Sequence, residues 1–552
     1  MEEHEIEILS TGANLEEVTQ ILQRFLKNNE NVFTFPNLAE SNRRALLWTA
    51  LFQHLQTKES ASVYALCLAS IRVLSREKTG IDVFICERWI ITLIERAGLY
   101  NYEELDDESM IPLDLIQKDV AMEALKCLCN LTFNSEVARA FCAQTSIAQG
   151  LVARIRIYKD IPFKEDIMLF DMKLLFILTA LRQDIRNKIK NELHGMEYLT
   201  NCINEILLET ATRFDAPSQS SGLVDGAYQS FLQDNQQTII CEILKTQFNL
   251  IHTSCAEDRE CEAEEAMYLK LMSVINTLLY AHTTTEDKLM ELRSNVTNLL
   301  TSVPIAFYPY LTPPLTEGEN TQYKYEGQNM DALQGLILLL QYRLTITTSV
   351  NNQSESLSPI LIVLNKSARG CRAQRKYLRQ VVLPPLRDVS RPPEKGNTLR
   401  NQLCRLLTTP VTSVRDLVAE FLFVLCKEKL GRMVKYTGFG NAAGHIAQKG
   451  LLSTKSGVEY SSSSDDSDTD EYLEAQPHID PVVGCTRPPR ANPLESMTEE
   501  QKEYEALRLV NLFDKMMSQG VVVPARIGPD GRPEPMEHVL EMRDRPPNAP
   551  QV

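Results

Sequence analysis

From about residue 14 to about residue 430, apolar side chains return every third and fourth position, as in Leu125, Leu128, Cys129 and Thr132 or Leu174, Leu175, Ile177, Leu178 and Leu181. This spacing gathers them on one face of a helix. Period-two alternation bounded by turn dipeptides is almost absent, so a substantial sheet is not expected. Short, strongly apolar signatures recur along the chain: Ala124-Leu-Lys-Cys-Leu-Cys-Asn-Leu131, Ile243-Leu-Lys-Thr-Gln-Phe-Asn-Leu250, Pro359-Ile-Leu-Ile-Val-Leu-Asn365 and Ala419-Glu-Phe-Leu-Phe-Val-Leu-Cys426. Two of them lead into a further helical stretch, at Ser135-Glu-Val-Ala-Arg139 and Gly370-Cys-Arg-Ala-Gln-Arg375. The spacing drifts around the roughly 40-residue armadillo and HEAT period. At 552 residues the chain is too long for one compact core. The fold class expected is therefore all-α, an armadillo/HEAT-like helical-repeat superhelix, or solenoid, over residues 1–430. Such repeats bury their apolar faces against one another and leave an extended concave surface suited to holding a partner.

Polar insertions at about 213–235 and a Pro- and Gly-containing stretch at about 303–330 read as surface loops. Residues 431–450, with Gly438, Gly440 and Gly444, read as an extension of the solenoid. Residues 451–495 read as a disordered acidic linker, with seven acids and no base from Glu459 to Glu474. Within it Ser462, Ser463 and Ser467 each have Asp three residues on, the pattern read by an acidophilic kinase of the casein kinase two type. Residues 496–520 carry an amphipathic helix, which Thr498 and Gln501 open at capping-box spacing. Its stripe of Ala506, Leu509, Val510, Phe513, Met516 and Met517 needs a partner, either the chain's own solenoid or another protein. The Pro-rich residues 521–552 read as disordered.

Lys and Arg number 57 against 73 Asp and Glu, a net charge of -16, which argues against wholesale nucleic-acid binding. One local exception runs from Lys366 to Arg405, where eleven basic residues stand against Asp388 and Glu394. With only Tyr377 interleaved, this stretch fits an acidic peptide or the chain's own linker better than nucleic acid. No apolar run approaches the roughly 20 residues of a membrane span, and the first residues lack a signal-peptide pattern. The 13 cysteines are scattered, several within apolar helical stretches, and read as core thiols in a reducing compartment. No phosphate loop, nucleophile elbow, His-Glu-x-x-His or zinc-spaced cysteine pair is present. The expectation is accordingly no catalytic residues, no metal and no cofactor. Arg72 and Arg76, four apart, project from one helix face and suit a bidentate clamp on a carboxylate or phosphate; the alternative is a solvated charged face. Lys126 and Asn130 lie one turn apart off the apolar stripe, so that Asn130 either reads a partner's backbone amide or bridges neighbouring helices.

Several stretches together resemble one family: Leu125-Lys-Cys-Leu-Cys-Asn-Leu131, Leu174-Leu-Phe-Ile-Leu-Thr-Ala-Leu-Arg182, Glu192-Leu-His-Gly195, Val382-Leu-Pro-Pro-Leu-Arg-Asp-Val389, Lys435-Tyr-Thr-Gly-Phe-Gly-Asn-Ala-Ala-Gly444, Asp468-Thr-Asp-Glu-Tyr472 and Met497-Thr-Glu-Glu-Gln-Lys-Glu503. In collinear order from about 14 to about 520, they are similar to the synembryns, chaperones and guanine-nucleotide exchange factors of heterotrimeric G-protein α subunits. The resemblance implies a superhelix that grips the C-terminal helix of a GDP-bound or nascent α subunit, promotes GDP release, holds the nucleotide-free state and is released by GTP. It implies contacts from Arg72, Arg76 and Asn130 to the chain-terminal carboxylate and backbone, packing from Phe170, Phe248 and Asn249, and cationic help from Arg372 and Lys376. It also implies a second contact through Leu509, Val510, Phe513 and Met516, and phosphorylation at Ser462 and Ser467. A cytoplasmic protein with a fraction recruited to the cell cortex follows from the same resemblance. The competing expectation is a helical-repeat scaffold that binds partners without changing nucleotide exchange.

Overall fold

The computed structural model describes residues 2–12, 14–39, 42–99, 117–161, 163–214, 230–252, 262–315, 321–346, 349–449, 469–486, 494, 497–519, 525–527 and 533–535. They fall into two compact units, Met1–Cys485 and Thr486–Val552. The first is an all-α helical-repeat solenoid; its described strands are two residues long.

A continuous row of seven helices runs through the first unit: α1 (Tyr64–Leu74), α2 (Lys118–Asn134), α3 (Lys164–Leu181), α4 (Asp234–His252), α5 (Glu286–Ser302), α6 (Gln353–Gly370) and α7 (Thr412–Leu425). Each packs on the next along its length. A second row, including Arg43–Gln56, Glu87–Arg96, Ile147–Arg156, Gly195–Phe214, Glu262–Tyr280 and Asp331–Ile346, covers their apolar faces. Leu68, Leu125, Leu128, Leu174, Leu244, Val296, Leu361 and Leu422 lie wholly out of water between the rows. The three-and-four spacing therefore marks the buried stripe of each repeat.

Neighbouring helices are joined by side chains that reach carbonyls of the adjacent helix, at its end or within it. Asn130 Nδ2 on α2 donates to the Arg72 carbonyl (3.2 Å) and the Ser75 hydroxyl (3.1 Å) at the end of α1. Asn249 Nδ2 on α4 donates to the Phe176 carbonyl (3.4 Å) and Thr179 Oγ1 (3.1 Å) on α3. Asn365 Nδ2 on α6 reaches the Leu417 carbonyl on α7 at 3.4 Å. Three helix ends are also capped by an arginine seven residues on: Arg139 on the Thr132 carbonyl (2.8 Å), Arg186 on Thr179 (2.6 Å) and Arg375 on Ala368 (3.0 Å). The two rows are tied by a fully buried ion pair in which Arg154 Nε donates to Asp171 Oδ2 (2.8 Å) and Tyr158 OH donates to the same oxygen (2.9 Å).

Three sequence readings change. The 303–330 stretch is not only a surface loop: Ile305–Leu311 forms a 3-10 helix whose Tyr308 and Leu311 are core residues, and Tyr308 OH donates to the Leu300 carbonyl at 2.8 Å. The linker reading fails over residues 469–486, where a short helix, Asp470–Ala475, and the turn after it dock on the solenoid's last helices. Thr469 Oγ1 donates to the Leu386 carbonyl, and Lys435 Nζ stands 4.2 Å from the Tyr472 ring centroid. The amides of Phe439 and Gly440 donate to the carbonyls of Pro481 and Val482, both at 2.9 Å. Gly438 and Gly484 meet there at positive φ (+74° and +76°), so close that a Cβ on Gly484 would lie 2.9 Å from the Gly438 Cα. Only glycine fits both the conformation and the space. The third change concerns the basic stretch from Lys366 to Arg405, several of whose members are structural. Lys366 Nζ donates to the Thr301 (2.8 Å) and Val303 (2.9 Å) carbonyls, Arg369 pairs with Glu420 and Glu428, and Arg405 holds the Glu394 and Gly396 carbonyls.

In the second unit α8 (Glu499–Ser518) begins at a complete Thr498/Gln501 capping box, and none of its residues is buried. The expected phosphorylation sites Ser462 and Ser467 lie outside the described residues. Among the described residues no helix is long and apolar enough to cross a membrane.

Candidate functional site

Arg72 and Arg76 leave the C-terminal end of α1 and the turn after it, where side chains from neighbouring elements hold the backbone. Arg44 Nη2 donates to the Leu74 (3.2 Å) and Glu77 (3.0 Å) carbonyls, and Asn134 Nδ2 to the Ser75 carbonyl (2.8 Å). Neither arginine lies on a freely solvated face. Arg72 Nε donates to Glu123 Oε2 at 2.6 Å, and the same carboxylate takes Lys126 Nζ on Oε1 at 2.8 Å. Arg76 Nη1 donates to the carbonyls of Asn29 (3.4 Å), Glu30 (2.7 Å) and Val32 (3.3 Å), while its guanidinium covers the Phe33 ring at 5.4 Å. Partial burial first, and the Arg72 charge second, push the Arg76 guanidinium below the ordinary arginine value. Each arginine thus holds one nitrogen on its own chain. Among the described residues no hydrogen bond is recorded for the terminal nitrogens of Arg72 or for Nε and Nη2 of Arg76. Two cations with open donors on one helix end form an anion-binding corner.

The face continues across α2, α3 and α4. Lys126 and Lys173 both stand over the Phe170 ring, at 5.2 and 5.4 Å, and Lys245 stands over Phe176 at 5.9 Å. These are cation–π distances. Phe170 and Phe248 are half-buried, packed on the core with part of each ring outward. Asn130 lies beside Arg72 and Asn249 beside Phe176, but the amide nitrogen of each is committed to bridging helices; for Asn130 this was the second of the two sequence readings.

The structure thus brings Arg72, Arg76, Asn130 and Phe170 onto neighbouring helices and continues through Phe248 and Asn249. Arg372 and Lys376 stand apart on the helix Arg372–Val382, which packs on α6 and α7; Lys376 pairs with Glu326 at 2.8 Å. Leu509, Val510 and Phe513 are exposed on α8, and Met516 half-exposed. Sequence reading missed Glu123, Lys173 and the Lys245–Phe176 pair. A usable signal was the Glu-x-x-Lys spacing at Glu123/Lys126 and Glu242/Lys245, which sets both members on one helix face. Burial pushes the Cys129 thiol, at the α2–α3 contact, up to about 12, which keeps it protonated.

The sequence profile of a family described as guanine nucleotide exchange factor synembryn matches residues 67–532, which includes every residue of this face. The chain belongs to the synembryn family. A synembryn relative described as Chaperone Ric-8A, from Gallus gallus, is 39% identical over 525 residues, covering 95% of this chain and 94% of that protein. Chaperone Ric-8 of Drosophila pseudoobscura pseudoobscura is 36% identical with 97% and 96% covered, and Chaperone Ric-8A of Danio rerio 38% identical with 96% and 94% covered. The synembryn solenoid is thus matched over nearly its whole length by proteins described as chaperones.

Proposed function

We propose that this synembryn binds the C-terminal segment of a G-protein α subunit along the face from α1 to α4 and, by holding the nucleotide-free form, speeds the release of GDP. The observation that supports this most is the pair of half-buried arginines whose open donors match a carboxylate's two oxygens. The terminal carboxylate sits at Arg72 and Arg76, and the preceding residues pack on Phe170 and Phe248 beside Asn130 and Asn249. Arg372 and Lys376 add positive charge farther along the solenoid. Exposed Leu509, Val510 and Phe513 and half-exposed Met516 of α8 form a second contact with the same subunit. An acidophilic kinase modifies the acidic stretch at Ser462 and Ser467.

No covalent step is required. A partner that binds empty α subunit more tightly than the GDP-bound form weakens GDP binding by the same factor, and GTP reverses the linkage. Stabilising the empty form also shields it from unfolding, so chaperoning and exchange are one binding preference seen at two stages. The test is GDP release from purified α subunits with the wild-type chain and with Arg72→Ala/Arg76→Ala. Faster release with wild type, lost in the double variant, is expected. Stable binding without faster release leaves the scaffold reading in its place.

A further inference from the structure

Arg72 is held in an unusual way for a residue offered to a partner. A guanidinium presents two edges that can each take a carboxylate in parallel, one through Nε and a terminal nitrogen and one through the two terminal nitrogens. Glu123 takes Nε alone, at 2.6 Å, and leaves the terminal edge open. Its other oxygen is fixed by Lys126 at 2.8 Å, so the carboxylate is pinned from two sides. Side-chain exposures of 28% for Arg72 and 16% for Glu123 place the pair where solvent does not average the contact away. Lys126 is held in turn over the Phe170 ring. Glu123 thus stands at the centre of a chain of contacts that runs from α1 through α2 to α3.

We infer that Glu123 is a positioning residue: by anchoring Arg72 through Nε and Lys126 through Nζ, it aims the terminal edge of Arg72 at a chain-terminal carboxylate and so sets the preference for a free carboxylate over an amide. The inference rests on the proposed function of this face. Two physical effects of Glu123 oppose each other, which makes the sign of the outcome decisive. Its negative charge repels an incoming anion, so charge removal alone tightens binding. Its anchoring removes rotamer freedom from a long side chain, so loss of the anchor weakens binding. A carboxylate that competed with the ligand would occupy the terminal edge, and this one does not.

The experiment measures binding of two synthetic peptides to the full chain, both carrying the last residues of a G-protein α subunit, one ending in a free carboxylate and one in an amide. The unaltered chain is expected to prefer the carboxylate form by about tenfold. Glu123→Ala removes that preference by weakening the carboxylate peptide alone, and Glu123→Gln, which keeps an acceptor for Nε, retains most of it. In an Arg72→Ala background Glu123→Ala has no further effect on the ratio. Unchanged melting temperatures show that each variant is folded. Tighter binding of the carboxylate peptide by Glu123→Ala, or an equal change for both peptides, overturns the inference. Binding of neither peptide by the unaltered chain overturns both the inference and the reading it rests on.

Discussion

At the scale of single residues, His445 links the stability of the solenoid to pH. It is buried edge-on to Phe423, with ring centroids 5.4 Å apart, and faces Lys449, Glu420 and Asp416. Burial first, and the Lys449 charge second, lower its pKa from the ordinary 6.5. The unfolded chain therefore takes up a proton there before the folded chain does, so the stability His445 confers is present above pH 6.5 and lost as pH falls below it. Thermal melts from pH 7 to pH 5 should show His445→Gln losing less of its melting temperature than wild type; equal losses would remove His445 from the account. The arginine pair was legible in the sequence because four-residue spacing on a helix needs no tertiary knowledge. Glu123 was legible only as the i,i+3 partner of Lys126, since it meets Arg72 from 51 positions away and nothing beside it in sequence marks that contact.

At the scale of elements, the repeat and the strap at its end show how far pattern reaches. Helices α1 to α7 were legible because each repeats the same buried stripe. The asparagine and arginine ties were half legible, as residue types at recurring offsets whose bonding only the packing reveals. The strap of residues 469–486 was hidden by its composition, which continues an acidic, Ser-rich run into Pro- and Gly-containing sequence. Its docking depends on Gly438 and Gly484, which are remote in sequence and touch backbone to backbone. Gly484→Ala is expected to release the strap while leaving the helical rows intact. Cys485, now 6% exposed, then reacts with a thiol reagent at least about tenfold faster in the native protein, in proportion to the open population. Unchanged labelling would mean that the strap tolerates the added methyl group.

Across the whole solenoid, stability is a sum of local joints, because each row helix rests on the next rather than on one central core. Leu244 on α4 is fully buried, and Leu244→Ala should cost about 2–5 kcal/mol. Hydrogen exchange followed by mass spectrometry should place the increased opening in α3, α4 and α5 and leave α1 as protected as before. A uniform rise would mean that the rows open as one unit. The general class of fold was legible at this scale, since periodicity along some 400 residues leaves few alternatives; which faces the helices share was not. The asparagine ties also have a mechanical meaning. Pulled from its ends, such a chain lengthens by small openings at successive joints, each resisted by one or two hydrogen bonds and a strip of buried apolar surface, rather than by rupture at a single point. A segment bound along α1 to α4, as proposed, would then rest on a support that yields in small steps, joint by joint.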